Sequence, residues 1–305
     1  MSGPLDGTVE GGAAPEAPVV EVTDAREARV GDLSVRRALP RRGRRTVGAW
    51  CFADHMGPAE VDGPGIGPHP HLGLHTVTWL VEGELLHRDS LGSEQPITPG
   101  QVNLMTAGHG VAHAEEGSGR RRMHGVQLWV AQPAETRDGE AAFEHHAELP
   151  KAEVRNGVAT VIVGTLLDAT SPARADTPLV GAELDLAGGL TTWPLDPAYE
   201  HALLVLDGAL GVDGYGVEPG KLAYLGLGRD ELQLDSIGRT RALLLGGEPF
   251  GEQVLMWWNF VGRTQDEITA AWRSWQQDDD RFGRVNSEMA RIPTGPPPWV
   301  TAQEA

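Results

Sequence analysis

A chain of 305 residues has room for one large or two ordinary domains. With 40 glycines, 22 prolines and 40% hydrophobic residues it suits a loop-rich, mostly β protein with an ample core. A net charge of −18 argues against a general nucleic-acid binder, and the single cysteine, Cys51, excludes an intrachain disulfide and fits a reducing compartment.

Residues 1–28 are rich in Gly, Ala, Pro and Glu and lack periodicity, which reads as a disordered leader. They lack the basic start and apolar core of a secretory signal, and no apolar run reaches membrane-spanning length, so a cytoplasmic protein is expected. Six arginines in the ten residues Arg36–Arg45 form either a solvated face or a phosphate site. Over residues 29–155, short apolar runs alternate with turn signals. Strands are expected at Thr76–Val81, closed by Glu82-Gly83-Glu84, at Gln101–Met105 after Pro99-Gly100, and at Gly125–Val130 before Pro133. Residues 156–262 repeat the pattern at Val158–Leu167, Val180–Leu186, His201–Leu206, Lys221–Leu225 and Arg241–Leu245, a second β-domain of similar size and a plausible duplication. One helix is signalled within residues 263–280. Thr264-Gln265-Asp266-Glu267 fits a capping box, and Ile268, Trp272 and Trp275 follow on one stripe. The tail, residues 281–305, carries Pro293 and Pro296-Pro297-Pro298 and reads as extended or disordered.

Seven of the 11 histidines fall between residues 69 and 124. His69-Pro70-His71 and His113-Ala114-Glu115 each place two ligand-type side chains at i and i+2, on one face of a strand. Two such strands facing each other would bring three imidazoles and a carboxylate to one point. That donor set favours Fe(II), Mn, Ni, Cu or Zn over Mg or Ca and leaves positions open. Glu115 is either a plain ligand or also a general base. Met105, Gln127 and Trp129 are candidates for the pocket wall, with Gln127 and Trp129 sharing a face. His201, the only histidine of the second half, reads as a structural or surface residue rather than a ligand.

Further pieces carry a family likeness: Val35-Arg36-Arg37, Asp54-His55, Gly67–Gly73, Met105–Gly108 running on to Glu115, Gln127–Val130, Glu248-Pro249-Phe250 and Trp258–Gly262. On these the chain resembles pirin, a bicupin family, from about Val30 to Trp275. The resemblance implies an all-β fold of two cupin-type barrel or sandwich domains with a short C-terminal helix, metal-bearing only in the N-terminal domain. It implies His69, His71, His113 and Glu115 as ligands of one divalent metal, Fe(II) first. Family members have been linked to quercetin 2,3-dioxygenase activity. Others act as metal- or redox-sensitive regulators of partner proteins, among them transcription factors and metabolic enzymes.

The chain departs from the family where His-Pro-His-Arg-Gly-Phe-Glu-Thr becomes His-Pro-His-Leu72-Gly-Leu74-His75-Thr. If the strand ran unbroken, His75 would face the metal as a fifth ligand, an orienting partner of the ligands or a wall residue. His109 reads as a loop residue. Two functions compete. One is a dioxygenase whose small aromatic substrate chelates the metal through adjacent oxygens. The other is a regulator that docks a protein partner, with Arg36–Arg45 as its basic face. Direct nucleic-acid binding comes third.

Overall fold

The computed structural model describes residues 20–31, 33–117 and 119–301. Among these residues the chain forms 25 strands and one helix. The N-terminal domain pairs two sheets. The larger runs in the order Ala142–His146 (β12), Val102–Thr106 (β9), Leu74–Glu82 (β6), Arg120–Ala131 (β11), Trp50–Asp62 (β4), Leu33–Leu39 (β3), Arg26–Val30 (β2). The smaller runs Gly65–His71 (β5), Val111–Glu116 (β10), Leu85–Asp89 (β7), Glu94–Ile97 (β8). The C-terminal domain repeats this plan. Its larger sheet is built mainly on Gly157–Leu166, Leu179–Leu186, Glu200–Asp207, Lys221–Gly226 and Thr240–Gly247, and its smaller one on four strands between Gly189 and Ser236. The strands expected from sequence in both halves are present. The two-domain all-β architecture with a C-terminal helix is thus the observed one.

The expected leader, residues 1–28, does not hold over its last residues. Residues 1–19 lie outside the described set, but Glu21–Asp24 form a strand (β1), and β2 follows at once. β1 does not join its own half. It pairs antiparallel with Lys221–Gly226 of the C-terminal sheet, Glu21 opposite Tyr224.

Strand alternation decides which side chains reach which core. Along β6, Val77 and Trp79 pack with Ile162, Leu204 and Leu243 of the second domain, while Leu74 and Leu80 fill the N-terminal barrel. The two large sheets therefore share one apolar core between the domains. Trp50 is fully buried there, and its Nε1 donates to Val180 O (3.0 Å) and Gly246 O (3.1 Å) of the other domain. Gly181 is required beneath it: a Cβ would stand 2.6 Å from the indole. The C-terminal barrel is packed around Trp193, Leu203, Leu232 and Leu244.

The helix spans Gln265–Gln277 (α1), with Thr264 Oγ1 accepting from the Glu267 N–H at 3.2 Å. The Glu267 carboxylate accepts from the Arg263 N–H at 2.8 Å and from the Arg137 guanidinium. Ile268, Ala271, Trp272 and Trp275 are buried against Leu72, Ala112, Phe260 and Phe282. Among the described residues, the tail beyond residue 280 has no regular structure yet is docked. Phe282 O accepts from Ala112 N (3.0 Å), Ile292 N donates to Pro68 O (2.8 Å), and Trp275 Nε1 donates to Ile292 O (3.0 Å).

Candidate metal centre

β5 and β10 lie antiparallel with His69 directly opposite His113 and His71 opposite Val111. Pro70 fits because β5 is the edge strand, where the missing N–H is not needed by a neighbour. Gly67 leaves room for the tail, since a Cβ would stand 2.3 Å from Ala290 O. The i, i+2 spacing turns all three imidazoles into the barrel. Their ligand-type nitrogens lie within 4.8 Å of one another. His71 Nε2 and His113 Nε2 are 3.1 Å apart, and the ring centroids are 4.4–5.1 Å apart.

Two neutral imidazole nitrogens turned on each other at this distance need a shared proton or a shared cation. A first-row cation about 2.0–2.1 Å from each would separate them by about 2.9–3.4 Å, so the spacing fits one. Burial, opposed by the Gly67 carbonyl, lowers the His69 pKa to about 4. Burial and the neighbouring imidazoles hold His71 and His113 well below the usual histidine range. All three are neutral at pH 7, the form that ligates. His69 Nδ1 meets Gly67 O at 2.8 Å, so its proton sits there and Nε2 is bare. The Asn259 backbone lies beside the His71 ring, without a well-formed hydrogen bond to Nδ1.

Glu115 enters the same cavity but stands apart from the three-histidine cluster. The pairing with β5 shifts register between His113 and Glu115, and Thr78 Oγ1, on β6, is 3.1 Å from its Oε1. Burial raises its pKa, although the Thr78 hydrogen bond works the other way. Thr78 Oγ1 is also 3.0 Å from Gln127 Oε1, its cross-strand neighbour. Sequence reading passed over Thr78. Its parity with Leu74 and Leu80, on the barrel face of β6, was the available signal. A third i, i+2 pair was also overlooked: His87 and Asp89 on β7 stand opposite Glu115 and His113.

The cavity holds about 400 Å³, within the range of small-molecule sites. Trp129 and Gln127 line it, and Trp129 stacks on Phe52 at 3.9 Å with 14° between the planes. Arg37 covers Phe52 at 4.5 Å and is paired with buried Asp54 through two bonds of 2.8 and 2.7 Å. Trp258 and Asn259, at the tip of the Leu255–Gly262 hairpin, and Ile292 of the tail complete the wall. These contributions come from far along the chain, and their place at the cavity does not follow from local spacing.

Two expected pocket residues lie elsewhere. Met105 is buried among Cys51, Leu74 and Ala107 behind Trp129, not at the cavity surface. His75 faces away from the cavity. The strand breaks at Leu72-Gly73, where Gly73 has φ +69° and a Cβ would meet Val261 O, so parity counted from His71 does not carry over. His75 shares the parity of Val77 and Trp79 instead. Its Nδ1 lies 2.9 Å from Thr106 Oγ1 and its Nε2 3.0 Å from Asp176 Oδ2 of the C-terminal half. Leu72 packs on α1 and Leu74 in the barrel core, so none of the three departures from the family pattern touches the cavity.

Half of the basic run is engaged within the molecule, while Arg42 and Arg45 are exposed. Arg36 donates to Gly57 O, Arg37 to Asp54, and Arg44 to Glu21 while covering the Tyr224 ring. Cys51 is fully buried and its thiol is pushed up to about 12 by that burial, which leaves it unreactive. His109 is an exposed loop residue, and His201 is buried.

With fold and site in place, the chain belongs to the pirin family: the Pirin family model matches residues 32–130, and the Pirin C-terminal cupin domain matches residues 182–283. A Pseudomonas aeruginosa protein named "Putative quercetin 2,3-dioxygenase" is 49% identical over 90% of both chains. A pirin-like protein of Caulobacter vibrioides is 39% identical over 84% of this chain and 92% of its own. The crystal structure of a quercetin 2,3-dioxygenase from Acinetobacter baumannii superposes with a TM-score of 0.87 at 42% identity, covering 92% of this chain and 96% of that one. No helix among the described residues is long and apolar enough to cross a membrane.

Proposed function

We propose that this protein is a divalent-metal-dependent dioxygenase of the quercetin 2,3-dioxygenase type. His69, His71 and His113 would hold the metal, with Glu115 as a fourth donor and proton acceptor. The observation that carries the reading is the convergence of three buried, neutral imidazoles beside a carboxylate in one cavity. Fe(II) is the first candidate and Mn, Ni, Cu or Zn the others, by donor type. The bound metal would supply open coordination positions for a chelating substrate and for dioxygen.

The chain's own groups do the rest. The Phe52–Trp129 slab offers an aromatic wall against which a flat ring can lie. Glu115, made more basic by burial, is placed to take the proton of a substrate hydroxyl. Its anionic form is held by the Thr78 hydroxyl. Once Glu115 is protonated, that hydroxyl can turn to Gln127 Oε1, 3.0 Å away, so the proton is accommodated without a buried unpaired group.

The test is oxygen uptake with quercetin by protein loaded separately with Fe(II), Mn(II), Ni(II), Cu(II) and Zn(II), alongside elemental analysis of natively expressed protein. Uptake that disappears in His113→Ala is expected. No uptake with any of the metals would rule out this substrate. The alternative, a partner-binding regulator docking through Arg36–Arg45, has less to rest on, because Arg36, Arg37 and Arg44 are engaged within the chain.

A further inference from the structure

Behind His113, on the side away from the cavity, two more buried side chains stand in line. His113 Nδ1 is 3.4 Å from His87 Nδ1, and His87 Nε2 is 3.0 Å from Asp89 Oδ2. The other oxygen, Asp89 Oδ1, accepts the backbone N–H groups of Leu91 and Ser93, each at 2.9 Å. His113, His87 and Asp89 are 2%, 4% and 3% exposed. The His87 ring is held in plane by Phe143, stacked at 4.3 Å and 14°.

With both imidazoles neutral, this line has one consistent arrangement of protons. The Asp89 carboxylate can only accept, so His87 carries its proton on Nε2. His87 Nδ1 is then a lone pair, and it can pair only with a proton on His113 Nδ1. That leaves His113 Nε2 bare, and Nε2 is the atom turned toward His71 and the cavity. We propose that Asp89 and His87 are positioning residues that lock His113 in its Nδ1-protonated tautomer and present its Nε2 lone pair to a cation. The proposal rests on the reading of His113 as a metal ligand. It assigns the two neighbouring imidazoles different support: a backbone carbonyl for His69, a relayed carboxylate for His113. A carboxylate behind a ligating imidazole makes it a stronger donor.

Asp89→Asn tests the relay with almost no change of shape. The Leu91 and Ser93 N–H groups keep the amide oxygen, so the amide nitrogen faces His87 Nε2 and forces it to accept. The His87 proton moves to Nδ1, His113 Nδ1 becomes the acceptor, and His113 Nε2 carries the proton. Ni(II) affinity, measured by competition with a chelating dye, should fall about 10–100-fold in Asp89→Asn and His87→Ala, with His87→Gln restoring most of it. Long-range ¹⁵N–¹H spectra of the metal-free wild-type protein should show His113 protonated at Nδ1. If His113 is protonated at Nε2, or if Asp89→Asn and His87→Ala bind Ni(II) like wild type while His113→Ala does not, the relay is wrong and the metal site stands. If His113→Ala binds like wild type, the metal reading itself falls, and the relay with it. Should Asp89→Asn fail to fold, the wild-type spectrum alone decides.

Discussion

Thr78→Val isolates the one hydrogen bond that, among the described residues, holds the Glu115 carboxylate. The substitution keeps the branched shape in β6 and removes only the hydroxyl, 3.1 Å from Glu115 Oε1 and 3.0 Å from Gln127 Oε1. A hydrogen bond to a charged group contributes about 1.5–3 kcal/mol. The bond favours the anion, so its loss raises a pKa that burial already raises. At about 1.36 kcal/mol per pH unit, the protonation midpoint of Glu115 should move up by about one to two pH units. Protons and metal compete for this carboxylate, so the pH midpoint of Ni(II) binding should move up by a similar amount. Binding at pH 9 should stay close to wild type. The assay is dye-competition titration from pH 5 to 9 on wild type and Thr78→Val, with thermal melts to show that both fold. Identical midpoints would refute the reasoning and show that Glu115 does not take part in metal binding.

Other outcomes follow from the same geometry. Trp50→Phe removes the N–H shared by Val180 O and Gly246 O in the core between the domains and leaves a void; it should cost about 2–4 kcal/mol, read as a lower Tm without loss of metal-binding stoichiometry. Gly181→Ala should destabilise by about 1–3 kcal/mol through overpacking against the same indole, measured by denaturant unfolding. Burial lowers His55 to about 3 and His201 to about 4. Both are neutral in either state above about pH 6.5, so they take nothing from stability there; below it the unfolded chain binds protons that the folded one refuses, and each group costs about 1.4 kcal/mol per pH unit until its folded pKa is reached. His201→Gln should therefore shrink the stability lost between pH 7 and pH 5 by about 2 kcal/mol, and an unchanged loss would contradict the assignment.

The ligand-type residues were legible because each pair sits within three residues on one strand, where side-chain direction is a matter of parity. The same rule found Gln127 and Trp129 on β11. It failed at His75 because a single bend at Leu72-Gly73 resets parity, and parity has no memory across a broken strand. Met105 points into the right barrel but stops behind Trp129, a question of depth that alternation does not address. The strands of both halves could be read from apolar runs between turns. β1 could not, because Glu21-Val22-Thr23-Asp24 is ordinary in composition and gains its place from a partner 200 residues away. Trp258, Asn259 and Ile292 reach the cavity only through tertiary docking.

The two ends of the chain are exchanged between its halves. The first described strand completes the sheet of the C-terminal domain, and the last 20 described residues brace the edge strand that carries His69 and His71. The arrangement is a domain swap performed within one molecule. A cut near residue 155 would not release two self-sufficient barrels. One fragment would carry a strand that belongs to its partner, and the other the brace of a site it does not contain. Mixed together, the two fragments should recover the metal site by complementation, whereas the N-terminal fragment alone would keep all four proposed ligands without the strap that supports them.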